Sequence, residues 1–582
     1  MKKPTPIRFK DAFKQYRHDQ DKVSSPQETV ERFRQRLAHI ELDILSDVVR
    51  IDKGRLDIPV YFSICGADAR AAIGNYKQMG KGATPEQAQA SAVMELAERF
   101  SLFSFRSDDA NFIEAPRNGL KAPAMEFDHI AKSVRDVSDD LSVVSDVFAD
   151  LPLKWTFAHN VTRNQVMLVP FNWFWTINQF NGSSAGNCVE EAVCQGLCEV
   201  VERHVSALVS GQRHETPSIA AASVRDPVAR SLIGKYQSNG VQLYLSDFTM
   251  DMGIPSIGAL AYDPSTFPAI SEIVWTAGTM PSAEKALCRA LTEVAQLAGD
   301  FNSSGNYEAS GLPKFTDLAA AEYVMHPGAS VRLDQLPNLS HDNIRVEVER
   351  CISALAERDM EVFLVDVRHK ELDIPAFYTI IPGTLFRERA ASPSTGMICA
   401  KIMAERFAPR TAMAYLQSFD QKLPGKYYIQ FYQGKLLLDM AEYASALDHL
   451  HRAADLTPPA EDLASILTYK GICYKEMGQY PAALKALHAA DRIDPQRTDT
   501  LNLMGFCNFK QQAHEEAIDC FKRVVALNPG SAIDFANIAV NYRALGNTTQ
   551  AIEYYQLALA LDAGLDFARE HLAQLSDSPN VK

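Results

Sequence analysis

Three stretches of the chain carry acidic, amide and basic side chains at helical spacing. In the first, Gly80 to Phe100, Ser91, Glu95 and Glu98 stand at i, i+4 and i+7, which on an α-helix places them within an arc of about 60°. In the second, Asn181 to Val205, Glu191, Gln195, Glu199 and Glu202 stand at i, i+4, i+8 and i+11, an arc of about 80°. Both contain E-x-x-E-R, once as Glu95, Glu98 and Arg99 and once as Glu199, Glu202 and Arg203. The third, Ser282 to Asp300, repeats the spacing with Arg289, Glu293 and Gln296. Aligned carboxylates on one helix face repel, so a compensating cation is expected between them. Mg2+ takes oxygen ligands and bridges phosphate oxygens, which would let carboxylates hold metal and metal hold a nucleotide, with Arg289 forking onto a phosphate. The plainer alternative makes Arg99 and Arg203 structural partners of exposed acids. The duplication of the whole word weighs against it.

The acidic helices must be positioned by what precedes them. Their lead-ins, "GKGAT" and "NGSSAGN", are rich in glycine and serine and could offer backbone N–H groups to phosphate oxygens. Neither matches the Walker pattern G-x-x-x-x-G-K-[ST]. Residues 1 to about 420 mix strands and helices, an α+β pattern. Two stretches there share a strand, an Asp (Asp247, Asp366), a turn, an Ile-Pro pair (Pro255, Pro375) and a second strand, which suggests internal duplication. The turn-rich stretches 390–397 and 418–427 flank a helical segment, and the second is expected to be the inter-domain linker. From Gly434 the character changes. Small residues recur at Gly434, Gly471, Gly505 and Ala539, alanines at Ala446, Ala483, Ala517 and Ala551, and bulky residues at Leu450, Leu487, Phe521 and Tyr555, with Pro458, Pro495 and Pro529 closing three units. This resembles the tetratricopeptide repeat, a stacked helix pair whose solenoid holds a partner protein. The expected domains are therefore 1–420 and 428–582.

Composition limits the partners. A chain of 582 residues needs more than one core, and a formal charge of -14 with a pI near 5.5 argues against a surface that tracks nucleic acid. The basic start "MKKPTPIRFKDAFKQYRHDQ" has no apolar region behind it, and no window reaches the ~18 apolar residues of a membrane span. A cytoplasmic protein with no membrane contact is expected. Ten scattered cysteines suit a reducing compartment. Cys188, Cys194 and Cys198 match no paired zinc spacing and read as small buried helix residues.

The segments "KGAT…SAVMELAERF", "SAGNCVEEAVCQGLCEVVERHV" and "CRALTEVAQ" together resemble the YcaO family, which carries an acid-rich ATP site without a Walker motif. The resemblance covers roughly the first 420 residues. It implies that Ser91, Glu95, Glu98, Asn187, Glu191, Gln195, Glu199, Glu202, Arg203 and Arg289 bind ATP and Mg2+, with Glu95, Glu98, Glu191, Glu199 and Glu202 as metal ligands and Glu95, Glu199 and Arg289 catalytic. The stretch "DKVSSPQETVERF" resembles the family's N-terminal segment and adds Lys22 and Thr29. The family activates a peptide-backbone amide: a nucleophile attacks its carbon, the oxygen takes the γ-phosphoryl group, and phosphate leaves, giving azolines or thioamides. The end of the chain, "LSDSPNVK", lacks the proline-rich tail of many azoline-forming members. Thioamidation, or an accessory role in methylthiolation of a small-subunit ribosomal protein, is accordingly ranked ahead of azoline formation and of a nucleotide-regulated scaffold. A peptide or protein substrate, a sulfur donor, a partner on the repeats and a homodimer complete the expectation.

Overall fold

β-Branched and aromatic runs such as Val60–Cys65 and Ala376–Ile380 set the strands of the first of two units, residues 1–395 and 396–582. The computed structural model describes residues 6–52, 54–268, 271–297, 315, 317–386, 394–528 and 530–576. Three sheets build the first unit. Leu45–Arg50, Val60–Cys65 and Lys77–Lys81 form an antiparallel meander. A second sheet runs in the order Val274–Thr279, Ser256–Tyr262, Gln242–Asp247, Ser218–Ile219 and Ser330–Val331, the last pair parallel. The third runs Ile113–Ala115, Leu153–Asn160, Phe363–Asp366, Ala376–Ile380 and Ser183–Ala185, with Gln165–Pro170 also on Leu153–Asn160.

Each acid-bearing helix is held by its own core. Pro85–Ser107 packs on the meander and buries Val93, Leu96, Ala97 and Phe100 with Phe33, Ile44 and Cys65. Val189–Gly211 packs on Ala376–Ile380 and Val274–Thr279 through Val193, Leu197, Val200 and Val201. Ala283–Leu297 lies on Val274–Thr279 through Leu287, Ala290, Leu291 and Val294. Each large apolar side chain buried this way contributes about 1.5–3 kcal/mol, enough to hold a polar face at fixed orientation. Close approach is set by glycine: a Cβ on Gly80 would lie 2.1 Å from Ala92 N, so the Lys77–Lys81 strand seats directly on helix backbone.

The paired stretches read as a duplication share their element order. Gln242–Asp247 with Ser256–Tyr262, and Phe363–Asp366 with Ala376–Ile380, are antiparallel pairs, and Asp247 and Asp366 each accept the N–H two residues on. They belong to different sheets.

The second unit is all-helical. Four pairs follow one another: Tyr427–Asp439 with Tyr443–Asp455, Ala460–Glu476 with Tyr480–Ile493, Thr498–Lys510 with His514–Leu527, and Ala532–Ala544 with Thr548–Leu561. The small-against-bulky spacing is realised directly, since a Cβ on Gly434, Gly471 or Gly505 would meet Leu450, Leu487 or Phe521 at 2.9, 2.6 and 2.6 Å. The division between units falls at Thr395, ahead of the stretch expected to link them; 418–427 is instead the end of Pro409–Lys422 and a turn with Gly425 at φ +77°. Of the other turn-rich stretch, 390–393 lie outside the described residues. Among the described residues no helix is long and apolar enough to cross a membrane.

Candidate nucleotide and amide site

The three helices and the segment before Pro26 converge on one cavity of ≈ 420 Å³. Ser91, Glu95 and Glu98 line it from the first helix, Glu191, Gln195, Glu199 and Arg203 from the second with Asn187 just ahead of it, Arg289 from the third, and Lys22 and Thr29 from the N-terminal segment. Glu202 is the exception. Its Oε2 accepts from Arg289 Nε at 2.7 Å and from Thr279 N at 3.0 Å, so in this structure it stands outside the cavity lining as the support of Arg289.

The lead-ins also differ from the expectation. Lys77–Lys81 is a paired strand, Ala83 N donates to Asp19 Oδ2 at 2.8 Å, and Thr84 caps Gln87 N. In the second lead-in Ser183–Ala185 is a strand, Gly186 N donates to Pro375 O and Asn187 N to Glu191 Oε2. These N–H groups serve packing and capping and are not left for phosphate.

Charge in the cavity is mixed. Beside the acids stand Arg99 and Lys81, neither among the expected site residues. Arg99 lies 3.1 Å from Glu98 and 3.6 Å from Glu95, donates to Ser183 Oγ, and stacks over Phe180. Lys81 pairs with Glu293. Some of the compensation expected from metal is thus supplied by arginine. It is incomplete: burial and the neighbouring carboxylates of Glu199 and Glu95 push Glu98 up to about 8 despite Arg99. Burial likewise raises Glu199 against Arg203, Arg99 and Arg289. Glu202 is held below the usual range because Arg289 outweighs its burial, and burial with the nearby Arg289 lowers Lys81 to about 7.

Phosphate and a divalent cation fit these residues. Arg203 lines the cavity, and its buried Nε has no hydrogen-bond partner among the described residues, a donor with bonding capacity to spare beside an anion. No three His, Cys, Asp or Glu side chains among the described residues form a ready-made cation cage. Mg2+ commonly takes one or two carboxylates and completes its shell with phosphate and water. Cys188 caps the second helix by accepting Glu191 N, while Cys194 and Cys198 are buried thiols that hydrogen-bond each other and Cys351, in keeping with a structural role. Besides Arg99 and Lys81, the cavity gains Gln179, Phe180, Phe103, Glu293 and Gln296. Helical spacing flagged Glu293 and Gln296 beside Arg289; nothing local flagged the others.

A sequence model of the YcaO family, described as a cyclodehydratase binding ATP and Mg2+, matches residues 79–385. Tetratricopeptide models match 501–531 and 535–564. An uncharacterised protein of Methanothermobacter thermautotrophicus is 29% identical over 381 residues, 62% of this chain and 93% of that one. The ribosomal protein S12 methylthiotransferase accessory factor YcaO of Escherichia coli is 24% identical over 347 residues, 52% of this chain and 56% of that one, so the match spans about half of that relative. The YcaO from Methanopyrus kandleri, solved with AMPPCP and Mg2+, superposes with a TM-score of 0.50 at 23% identity, over 64% of this chain and 94% of that one; this is a likeness of fold.

Proposed function

The chain belongs to the YcaO family, whose cofactors are ATP and Mg2+, and on that premise we propose that it activates a peptide-backbone amide for attack by a sulfur nucleophile. The observation that carries this reading is the single cavity in which Glu98 and Glu199 face Arg203, Arg289 and Lys22. Bound Mg-ATP supplies the phosphoryl group that turns an amide oxygen into a leaving group. The chain's share is positioning and charge. Carboxylates drawn from Glu95, Glu98, Glu191 and Glu199 would hold the metal, with phosphate and water completing its shell. Arg289, fixed by Glu202, presents its remaining N–H groups to phosphate, and Arg203 offers its unpartnered Nε. Lys22, Ser91, Asn187 and Gln195 hold the nucleotide.

Thioamidation, or an accessory step for methylthiolation of a small-subunit ribosomal protein, is the preferred outcome; the likeness to the Escherichia coli accessory factor favours it. The helical repeats recognise the substrate protein or a sulfur-donor partner, and the chain works as a homodimer in the cytoplasm. Azoline formation is the second reading, favoured by the family's description as a cyclodehydratase. Mass spectrometry of candidate peptides incubated with the protein, ATP and sulfide decides between them: a gain of about 16 daltons marks oxygen replaced by sulfur, a loss of about 18 marks ring closure. Neither change, with ATP turnover unresponsive to every candidate, would overturn amide activation in favour of a nucleotide-regulated scaffold.

A further inference from the structure

The cavity has two ends. At one, the N-terminal segment meets the start of the Pro85–Ser107 helix: Asp19 accepts Ala83 N, and Pro26 and Val30 lie beside Glu86 and Gln89. Lys22, Ser24 and Thr29 line this end. The cavity then follows the helix from Gln87 to Phe103, a length of about 24 Å at 1.5 Å per residue. At the far end lies a turn, Gln179–Gly182, whose construction has no use in the nucleotide half.

Gln179 ends the helix Phe171–Asn178 with φ 50° and ψ -124°, a backbone region that glycine adopts without strain and glutamine does not. The strain is held in place from behind. The buried Tyr378 hydroxyl donates to Gln179 O at 2.9 Å and to Phe174 O at 3.2 Å, and Asn181 Nδ2 donates to Asn178 O at 2.9 Å. The result is that Gln179 and Phe180 both line the cavity and both keep surface open to solvent, so they stand at its mouth. Phe180 keeps 37% of its surface open while Arg99 covers some of its ring at 4.2 Å from the centroid. The turn is also tied to the acids. Ser183, the next residue after it, donates to Glu98 Oε1 at 2.5 Å and accepts from Arg99 at 3.1 Å. An aromatic platform is therefore fixed next to the carboxylates assigned to metal.

A nucleotide is small enough to occupy the cavity's interior, whereas a polypeptide can reach only the mouth. We propose that the Gln179–Asn181 turn is the peptide subsite, where the open face of Phe180 packs on an apolar or aromatic side chain flanking the activated amide and the Gln179 side-chain amide hydrogen-bonds the peptide backbone. This assignment rests on the amide-activation reading. At a backbone position that glycine would fit without strain, glutamine places a side chain at the mouth. Aromatic contact of this kind is sequence-tolerant but disfavours an anionic side chain such as Asp, which makes it a preference filter.

The test uses the full chain with acetyl-Gly-X-Cys-amide tripeptides, X being Phe, Leu, Gly or Asp, in the presence of ATP, Mg2+ and sulfide. Wild-type turnover should be stimulated about tenfold more, in kcat/KM, by Phe and Leu than by Gly and Asp. Phe180→Ala should remove that preference while the Kd for Mg-AMPPCP stays within about twofold. Gln179→Gly fits the observed backbone, so it should melt no lower than wild type, bind Mg-AMPPCP normally and lose the peptide stimulation. An unchanged peptide preference in Phe180→Ala, or nucleotide affinity falling in step with it, would overturn the subsite and leave amide activation standing. A wild type that responds equally to the four peptides, or to none of them, would also overturn the subsite, while amide activation is decided separately by the mass change of candidate protein substrates.

Discussion

Two glutamates three residues apart show what spacing alone can and cannot tell. Glu199 and Glu202 fall in one helical arc and belong to one repeated word, yet burial raises Glu199 while Arg289 holds Glu202 low. Their replacements should therefore behave oppositely. Glu199→Gln removes a carboxylate that is costly to keep charged, so the melting temperature should stay level or rise while ATP turnover is abolished. Glu202→Gln breaks a buried pair and should cost about 3 kcal/mol in urea unfolding, with turnover falling because Arg289 loses its anchor. A loss of stability in Glu199→Gln equal to that in Glu202→Gln would mean the two acids share one role. Glu86→Gln, at the start of the first helix and absent from the cavity lining, is the control and should retain full turnover. The acidic faces were legible because carboxylates gathered on one helix face, Glu95 with Glu98 and Glu191 with Glu199 and Glu202, are unusual on a solvated helix. Lys81 and the Gln179 turn were not, since their meaning depends on Glu293 and Tyr378, which are far off in sequence.

At the scale of elements, the segment that carries Lys22 depends on two buried lysines. Lys14 Nζ reaches Asp21 at 2.7 Å and Glu347 at 2.5 Å, and Lys285 binds the carbonyls of Arg17 and His18 together with Asp226. Burial lowers the Lys14 pKa, but its two carboxylates more than restore it. Lys14→Met would leave Asp21 and Glu347 facing each other without a cation. Hydrogen exchange should then speed up over residues 11–24, and the Kd for Mg-AMPPCP should rise about tenfold. Faster exchange with unaltered affinity would detach Lys22 from the nucleotide. The helix that follows starts from a local signal, the Ser25 and Glu28 capping box, whereas the Lys14 anchorage to Glu347, 333 residues away, leaves no local trace. The repeats were legible for the converse reason. Each unit packs on its sequence neighbour, so Gly471 and Leu487 meet within one period. The turn residues around Gly425 join helices that fall in one unit, and a turn composition alone does not mark a domain boundary.

For the whole molecule, the first unit has its own cores and its own complete cavity, so nucleotide binding should survive loss of the repeats. A chain ending at Lys426 should bind Mg-AMPPCP within about threefold of the full protein and lose stimulation by a substrate that the repeats recognise. Loss of nucleotide affinity in that folded truncation would show that the repeats complete the site. The central claim is that this cavity takes ATP together with a divalent cation, the cation relieving the residual crowding of Glu98 and Glu199 that Arg99 and Arg203 leave in place. Calorimetric titration of the full chain with ATP, first in excess Mg2+ and then in excess chelator, tests it most directly. The account predicts saturable binding with Mg2+ and at least about 100-fold weaker binding without it. Equal affinity in the two titrations would contradict it.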